Sequence, residues 1–391
     1  MSPLRSRPEV AAAAGGLFLL CWGLVHRGFW SHGVLVDWPT YQGYGDAILN
    51  HGLVPYRDFA VEYPPGALPV FILPAAFGNY ATAFAWEMAA CGVALVGVVA
   101  AIRREAAFYV ALTPVLAGSL ILSRFDLWPA LLTVSALAAL LLERHRLGWG
   151  LLGAAVAAKL WPLVIVPLAL VWSYRAGRLR AALAGLAVVT AVFAPFALIA
   201  PHGLWDSVRG QASRPLQIES LGASLFTAFG HPNVISSHGS QNVAGHDGVA
   251  ALFALLQVAV LVALWVAFAR GPATGDRLTR YAAASVCAFI AFGKVLSPQF
   301  LLWLIPLVPL VRGRRGLAAT GLLTSAFVLT QVWFPRRYWD YVYAFDNAGI
   351  VLARNLVLVA LLLVLIWPDP VARRAAMPHS HPGIVNRDGR V

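Results

Sequence analysis

Four carboxylates, Asp37, Asp46, Asp58 and Glu62, fall together in a chain that holds only 17 acids in 391 residues. An isolated carboxylate beside a substrate hydroxyl is a general base. The basic groups that would complement it stand in short polar breaks between apolar runs. They are Arg57 in PYRDF, Arg124 in RFDLWPA, Lys159 in AAKLWPL, Arg214 in SRPLQIES and Lys294 in GKVLSPQFLLW, and Lys159 and Lys294 are the only lysines. A second polar stretch carries Gln217, Glu219, His238, Gln241, Asn242, His246 and Asp247, side chains of the kind that hydrogen-bond sugar hydroxyls. Arginine and lysine stabilise a departing phosphate, so this inventory suits transfer of a group from a phosphate leaving group to a hydroxyl activated by an acid.

Each residue also has a plainer reading. Asp37 precedes Trp-Pro and would serve as a helix N-cap, a role compatible with catalysis. Arg57, Asp58 and Glu62 would shape a turn before Pro64-Pro65 by local ion pairing. The two lysines would snorkel to the headgroups; the sharper alternative sets both on one outward cavity as anion ligands. Tyr63, Trp128, Trp303, Trp333 and Trp339 would stack on sugar or apolar surfaces, or anchor the chain at the interface. His238, His246 and Asp247 lack tight metal-ligand spacing, and no metal is expected.

The elements that must position these groups are membrane helices. Apolar residues make up 60% of the chain and charged residues 12%, about half the charge of a soluble domain, and mean hydropathy is +0.72. The excess of 12 positive charges would be read in a soluble chain as a nucleic-acid surface. Here the arginines punctuate the ends of apolar runs, which is how topology is set. Clusters at Arg5/Arg7, Arg103/Arg104, Arg144/Arg146, Arg175/Arg178/Arg180, Arg270/Arg277/Arg280, Arg312/Arg314/Arg315 and Arg373/Arg374 mark inner loops. Between them lie candidate spans at 10–27, 81–102, 107–122, 127–143, 147–159, 161–173, 181–200, 248–269, 281–293, 296–311, 317–335 and 350–367. The expectation is an all-α polytopic bundle of about twelve helices with both termini inside. Segment 65–78, with three prolines, is either re-entrant or a further crossing.

This topology puts loops 28–64, 201–247 and 336–349 outside, with Arg336 and Arg337 in the last. Trp38, Tyr41, Tyr44 and Ile48 at helical spacing predict an interfacial amphipathic helix over 38–50, with Asp37 at its junction with the first span. One membrane domain covers 1–370, and 371–391 is a polar inner tail. The first apolar run lacks a small-residue cleavage site and reads as a retained anchor. Cys21, Cys91 and Cys287 sit in apolar runs as small hydrophobes.

An aspartate after the first span, followed in order by PYRDF…EYPPG, RFDLWPA, AAKLWPL, RPLQIES and GKVLSPQFLLW, resembles the polytopic glycosyltransferases of the GT-C superfamily. Within them it is most similar to glycosyltransferase family 87, the polyprenyl-phosphomannose-dependent alpha-1,2-mannosyltransferases of actinobacteria. The resemblance covers about residues 10–367. It implies a polyprenyl-phosphate sugar donor, mannose or a pentose, transferred with inversion at the outer face of the plasma membrane to a lipid-linked or cell-envelope glycan, without nucleotide sugar or obligatory metal. It points to Asp37 as the base. The chain has no DxD pair in the first loop, and the SQNVAG stretch only loosely resembles acceptor-site loops of such enzymes. Donor-phosphate ligands are then Lys294, Arg124, Lys159, Arg214 and Arg57; acceptor or sugar ligands are Asp58, Glu62, Glu219, His238, Gln241, Asn242 and His246. The alternative is a transporter or lipid flippase, against which stand the absence of matching halves and the collection of acids in one loop. A partner-binding subunit would lack a deep pocket.

Overall fold

The computed structural model describes residues 8–29 and 36–368. The tail 371–391 and the clusters Arg5/Arg7 and Arg373/Arg374 lie outside the described residues. Within them the protein is an all-α bundle with one small hairpin. α1 (Pro8–His26) leads to the short helices α2 (Trp38–Leu49) and α3 (Leu68–Ala75), then to α4 (Tyr80–Ile102), α5 (Arg104–Ala117), α6 (Leu120–Ser123), α7 (Leu127–Leu141) and α8 (His145–Ala158). α9 (Val166–Arg175), α10 (Ala182–Ile199), α11 (Pro201–Ala212) and α12 (Leu221–Phe229) precede the hairpin of β1 (Val234–Ser237) and β2 (Ser240–Val243). α13 (Asp247–Arg270), α14 (Gly275–Ala291), α15 (Gly313–Trp333), α16 (Tyr338–Ala344) and α17 (Ala348–Ile366) complete the chain.

Among the described residues six helices are long and apolar enough to cross a membrane: Pro8–His26, Tyr80–Ile102, Leu179–Ile199, Asp247–Arg270, Gly313–Trp333 and Ala348–Ile366. The remaining expected crossings are shorter or broken, and the reasons are local. The run 107–122 breaks at Gly118, whose φ of +57° ends α5 and separates it from α6. The run 296–311 is not an α-helix but two 3₁₀ turns, Pro298–Trp303 and Val308–Leu310. Pro298, Pro306 and Pro309 each remove a backbone donor that an α-helix needs. Segment 65–78 is a short piece, Pro65–Ala75. α14 begins earlier than expected because Thr274 accepts from the Arg277 N–H and caps it.

α8 is the hub of one side, packed between α7 and α10, while α15 and α17 pair on the other and α1 lies against α4 and α5. Glycines permit the closest contact. A Cβ on Gly153 of α8 would lie 2.5 Å from the Gly185 carbonyl oxygen of α10, and one on Gly185 would lie 2.8 Å from that of Trp149. Small residues facing each other let helix backbones touch where the solvent offers no hydrophobic drive.

The bundle has two chemically different ends. α4, α9 and α13 finish, and α8 and α15 start, at arginines. Those arginines tie the end together. Arg103 donates to the carbonyls of Pro309 (3.0 Å) and Val311 (2.5 Å), Arg175 to those of Ala269 and Gly271, Arg315 to Trp367 (2.7 Å), and Arg312 pairs with Asp276 at 3.3 Å. At the opposite end α8 finishes at Lys159 and α15 at Phe334. There the short helices α2, α3, α11, α12 and α16 and the hairpin are gathered.

Candidate functional site

The polar breaks in the sequence become the walls of one cavity of about 640 Å³ at this opposite end. α2 forms as expected, with Tyr41 buried and Trp38, Tyr44 and Ile48 packed on the core. Asp37 stands at its N-terminus but makes no side-chain cap bond, which corrects the capping expectation. Its carboxylate instead pairs with the Arg124 guanidinium and accepts a long bond from the Tyr41 hydroxyl, 3.4 Å. An ion pair to a delocalised guanidinium satisfies more of a carboxylate than one backbone N–H does.

Arg124 comes from the break between α6 and α7, two residues before Asp126. Asp126 is fully buried; its Oδ1 accepts from Lys159 Nζ at 2.7 Å and from Trp303 Nε1 at 2.5 Å. Lys159 reaches this position because α8 ends at Ala158 and the chain turns extended there. Its ammonium lies 4.6 Å from the Phe125 ring centroid and 5.4 Å from that of Trp303, so cation–π contacts replace part of its hydration. Trp303 stacks on Trp161 at 5.0 Å and on Phe300 at 4.0 Å. The lysine thus lines the cavity while bonded to a buried partner, and simple snorkelling does not describe it.

The segment between α11 and α12 closes the cavity. It is pinned by the Gln217 N–H to the Lys294 carbonyl and by Lys294 Nζ to the Ala212 carbonyl, both 2.9 Å. Arg214, Gln217 and Glu219 face inward from it. Gln217 Oε1, Glu219 Oε2 and Arg214 Nε are buried and have no hydrogen-bond partner in the protein, an arrangement costly enough that such atoms normally meet a ligand or water. Burial and the nearby Arg214 hold the Lys294 ammonium pKa below its ordinary value. Burial also raises the Glu219 carboxyl to about 7. The tip of the hairpin presents His238, Gly239 and Ser240 to the same space, opposite Glu62.

Of the residues singled out in the sequence, Asp37, Arg124, Lys159, Arg214, Lys294, Glu62, Glu219 and His238 share this cavity, with Tyr63 and Trp303. Others are elsewhere. Arg57 and Asp58 pair with each other at 2.9 Å in an adjoining cleft of about 330 Å³, which shares Glu62, Gln211, Arg214 and His238 with the main cavity. The Arg57 guanidinium and the Val54 N–H lower the Asp58 pKa to about 2. Asn242 is buried and braces the hairpin through bonds to the carbonyls of Ser237 (2.8 Å) and Ser240 (3.1 Å). Gln241 donates to Ser236 Oγ, and His246 bonds the Ala244 carbonyl and meets the edge of Phe226. These three shape the loop and do not line the cavity. Trp128 donates to the Gly66 carbonyl, Trp333 lies under the Arg354 guanidinium and Trp339 stacks on Tyr343.

Residues not singled out complete the site. Gln211, Gln299, Trp161 and Tyr338 line it. Arg354 of α17, fully buried, donates through Nη2 to the Glu219 carbonyl at 3.0 Å, beside Asn355 Nδ2 at 3.1 Å. A signal for Arg354 was present: it is the only charged residue in the apolar run of α17, and an ionisable group in such a run marks function by default.

The model of glycosyltransferase family 87 matches residues 61–298. The chain belongs to glycosyltransferase family 87. The match begins beside Glu62 and ends past Lys294, so it takes in Arg124, Lys159, Arg214 and Glu219. Comparison with curated proteins finds no match. The chain is therefore a membrane glycosyltransferase, which sets aside the transporter alternative, and a sugar donor and an acceptor are its substrates.

Proposed function

We propose that this family 87 enzyme moves mannose from a polyprenyl-phosphate donor to a lipid-linked or cell-envelope glycan, at the outer face of the plasma membrane and with inversion. The observation that carries the reading is the union, in one cavity, of a carboxylate, Asp37, with four basic groups, Arg124, Lys159, Arg214 and Lys294. In this reading Asp37 takes the proton of the acceptor hydroxyl as its oxygen bonds to the anomeric carbon. The bond from that carbon to the phosphate oxygen breaks, and the polyprenyl phosphate leaves with the electron pair, its charge met by the basic groups. Arg124 couples the two ends of the reaction, since it already pairs with Asp37 and would turn toward the donor phosphate, freeing the base. Gln217 Oε1 and Glu219, the latter protonated below about pH 7, suit the sugar hydroxyls. The adjoining cleft with Arg57 and Asp58 suits the acceptor glycan. The arginine-rich opposite end supports the outer-face reading, because the positive-inside rule favours the cytoplasm for such an end.

The test is transfer from synthetic polyprenyl-phosphate mannose by purified protein in membranes, wild type against Asp37→Asn. Loss of a general base lowers turnover by about 10²–10⁴-fold. Full transfer by the variant removes Asp37 from the role, and no transfer by the wild type from any such donor refutes the donor class.

A further inference from the structure

The arginine end carries a second built feature, remote from the catalytic cavity. A cleft of about 1110 Å³ opens between the start of α8 and the turn that leads into α10. Arg144, Arg146, Arg178 and Arg180 line it against a single carboxylate, Glu143, and among the described residues none of the four arginines makes an ion pair. The floor is held by His145, whose Nδ1 bonds Ser173 Oγ at 3.1 Å, with Trp149 Nε1 on the same hydroxyl at 3.0 Å. Exposed apolar side chains run from the cleft along the bundle. Leu179, Leu183 and Leu186 stand out at helical spacing on the way into α10, whose only buried residue is Gly185. Leu170 and Tyr174 do the same on α9. A soluble anion would use the arginines alone. Only an amphiphile uses both the charged cleft and the apolar tracks that start at its rim.

We propose that this cleft is a binding site for an anionic glycerophospholipid, with the phosphate among the four arginines and the acyl chains along α9 and α10. An arginine near an anionic headgroup contributes about 1 kcal/mol, so removing two weakens retention about thirtyfold. The experiment uses the full chain in nanodiscs of phosphatidylcholine with phosphatidylglycerol, extracted and weighed by native mass spectrometry for the lipid retained. Arg178→Gln/Arg180→Gln is compared with Arg178→Lys/Arg180→Lys, which keeps the charge and the topology signal. A second comparison is Arg104→Gln/Arg314→Gln, which removes the same charge elsewhere at that end. The expected result is selective retention of phosphatidylglycerol by the wild type, a loss of about thirtyfold in the first pair, and retention near wild type in the other two. Equal retention of phosphatidylcholine by the wild type overturns the proposal. So does undiminished retention in the first pair, an equal loss in the Arg104/Arg314 pair, or displacement of the lipid by inorganic phosphate as effective as that by phosphatidylglycerol.

Discussion

The buried pair between Asp126 and Lys159 gives the lysine a structural job that is separable from its proposed one, binding the donor. Asp126 is fully buried, and its Oδ1 takes both the Lys159 ammonium at 2.7 Å and the Trp303 indole N–H at 2.5 Å. Lys159→Met removes the ammonium bonded to Asp126 Oδ1 and leaves that oxygen on one indole. Breaking a buried pair from one side costs about 3–5 kcal/mol. Asp126→Asn should cost less, about 1–3 kcal/mol, because the Lys159 side chain retains the aromatic faces and some contact with the open cavity. In the double variant neither charge is stranded, and stability should return to within about 1–2 kcal/mol of wild type, a coupling of at least about 2 kcal/mol. Reversible unfolding in mixed micelles gives the three free energies, and sugar transfer is measured on the same samples. If Lys159 also holds the donor phosphate, the double variant regains stability but not transfer. A cost below about 1 kcal/mol for Lys159→Met, or a double variant no more stable than that single one, refutes the reasoning that the pair is buried and coupled.

Glu219 sets a pH dependence. Its folded pKa, about 7 against 4.5, is raised, so its contribution is full below pH 4.5 and lost as pH rises through 7, about 3 kcal/mol in all; unfolding followed across that window should show a loss smaller by about that amount in Glu219→Gln than in wild type. Gly66→Ala is expected to cost about 2 kcal/mol or more, because its Cβ would lie 2.5 Å from the Ala157 carbonyl carbon and 2.7 Å from the Ala158 nitrogen, and backbone at the end of α8 cannot yield as a side chain can; a melting point within error of wild type would show that the two segments separate freely. Arg354→Leu removes one of two donors to the Glu219 carbonyl and leaves Asn355 on it, so below about pH 7, where Glu219 is protonated, transfer should fall about tenfold while stability changes by less than about 2 kcal/mol; unchanged kcat and KM would exclude Arg354 from positioning Glu219.

Hydropathy and arginine spacing determined that this is a helical membrane protein with one arginine-rich end, and the spacing of Trp38, Tyr41, Tyr44 and Ile48 placed a helix at Trp38–Leu49 within a residue. Those properties are written locally, in the apolar content of each run and in the charges that bound it. Helix lengths were less legible. The run 296–311 is as apolar as a span, yet its prolines turn it into 3₁₀ pieces, because hydropathy counts side chains and not backbone donors. The candidate site was legible as a set of polar breaks, not as an arrangement. Asp37 and Arg124 are 87 positions apart, and only the packing of α2 against the break before α7 pairs them. The same holds for Asp126, held between Lys159 and Trp303, and for Arg354, which reaches the Glu219 carbonyl from the far end of the chain. Conversely Asn242 and His246, equally polar in sequence, are spent on the hairpin itself. Residue type says what a side chain is able to bond. Which partner it meets depends on contacts between distant segments, and those exist only once the helices have packed.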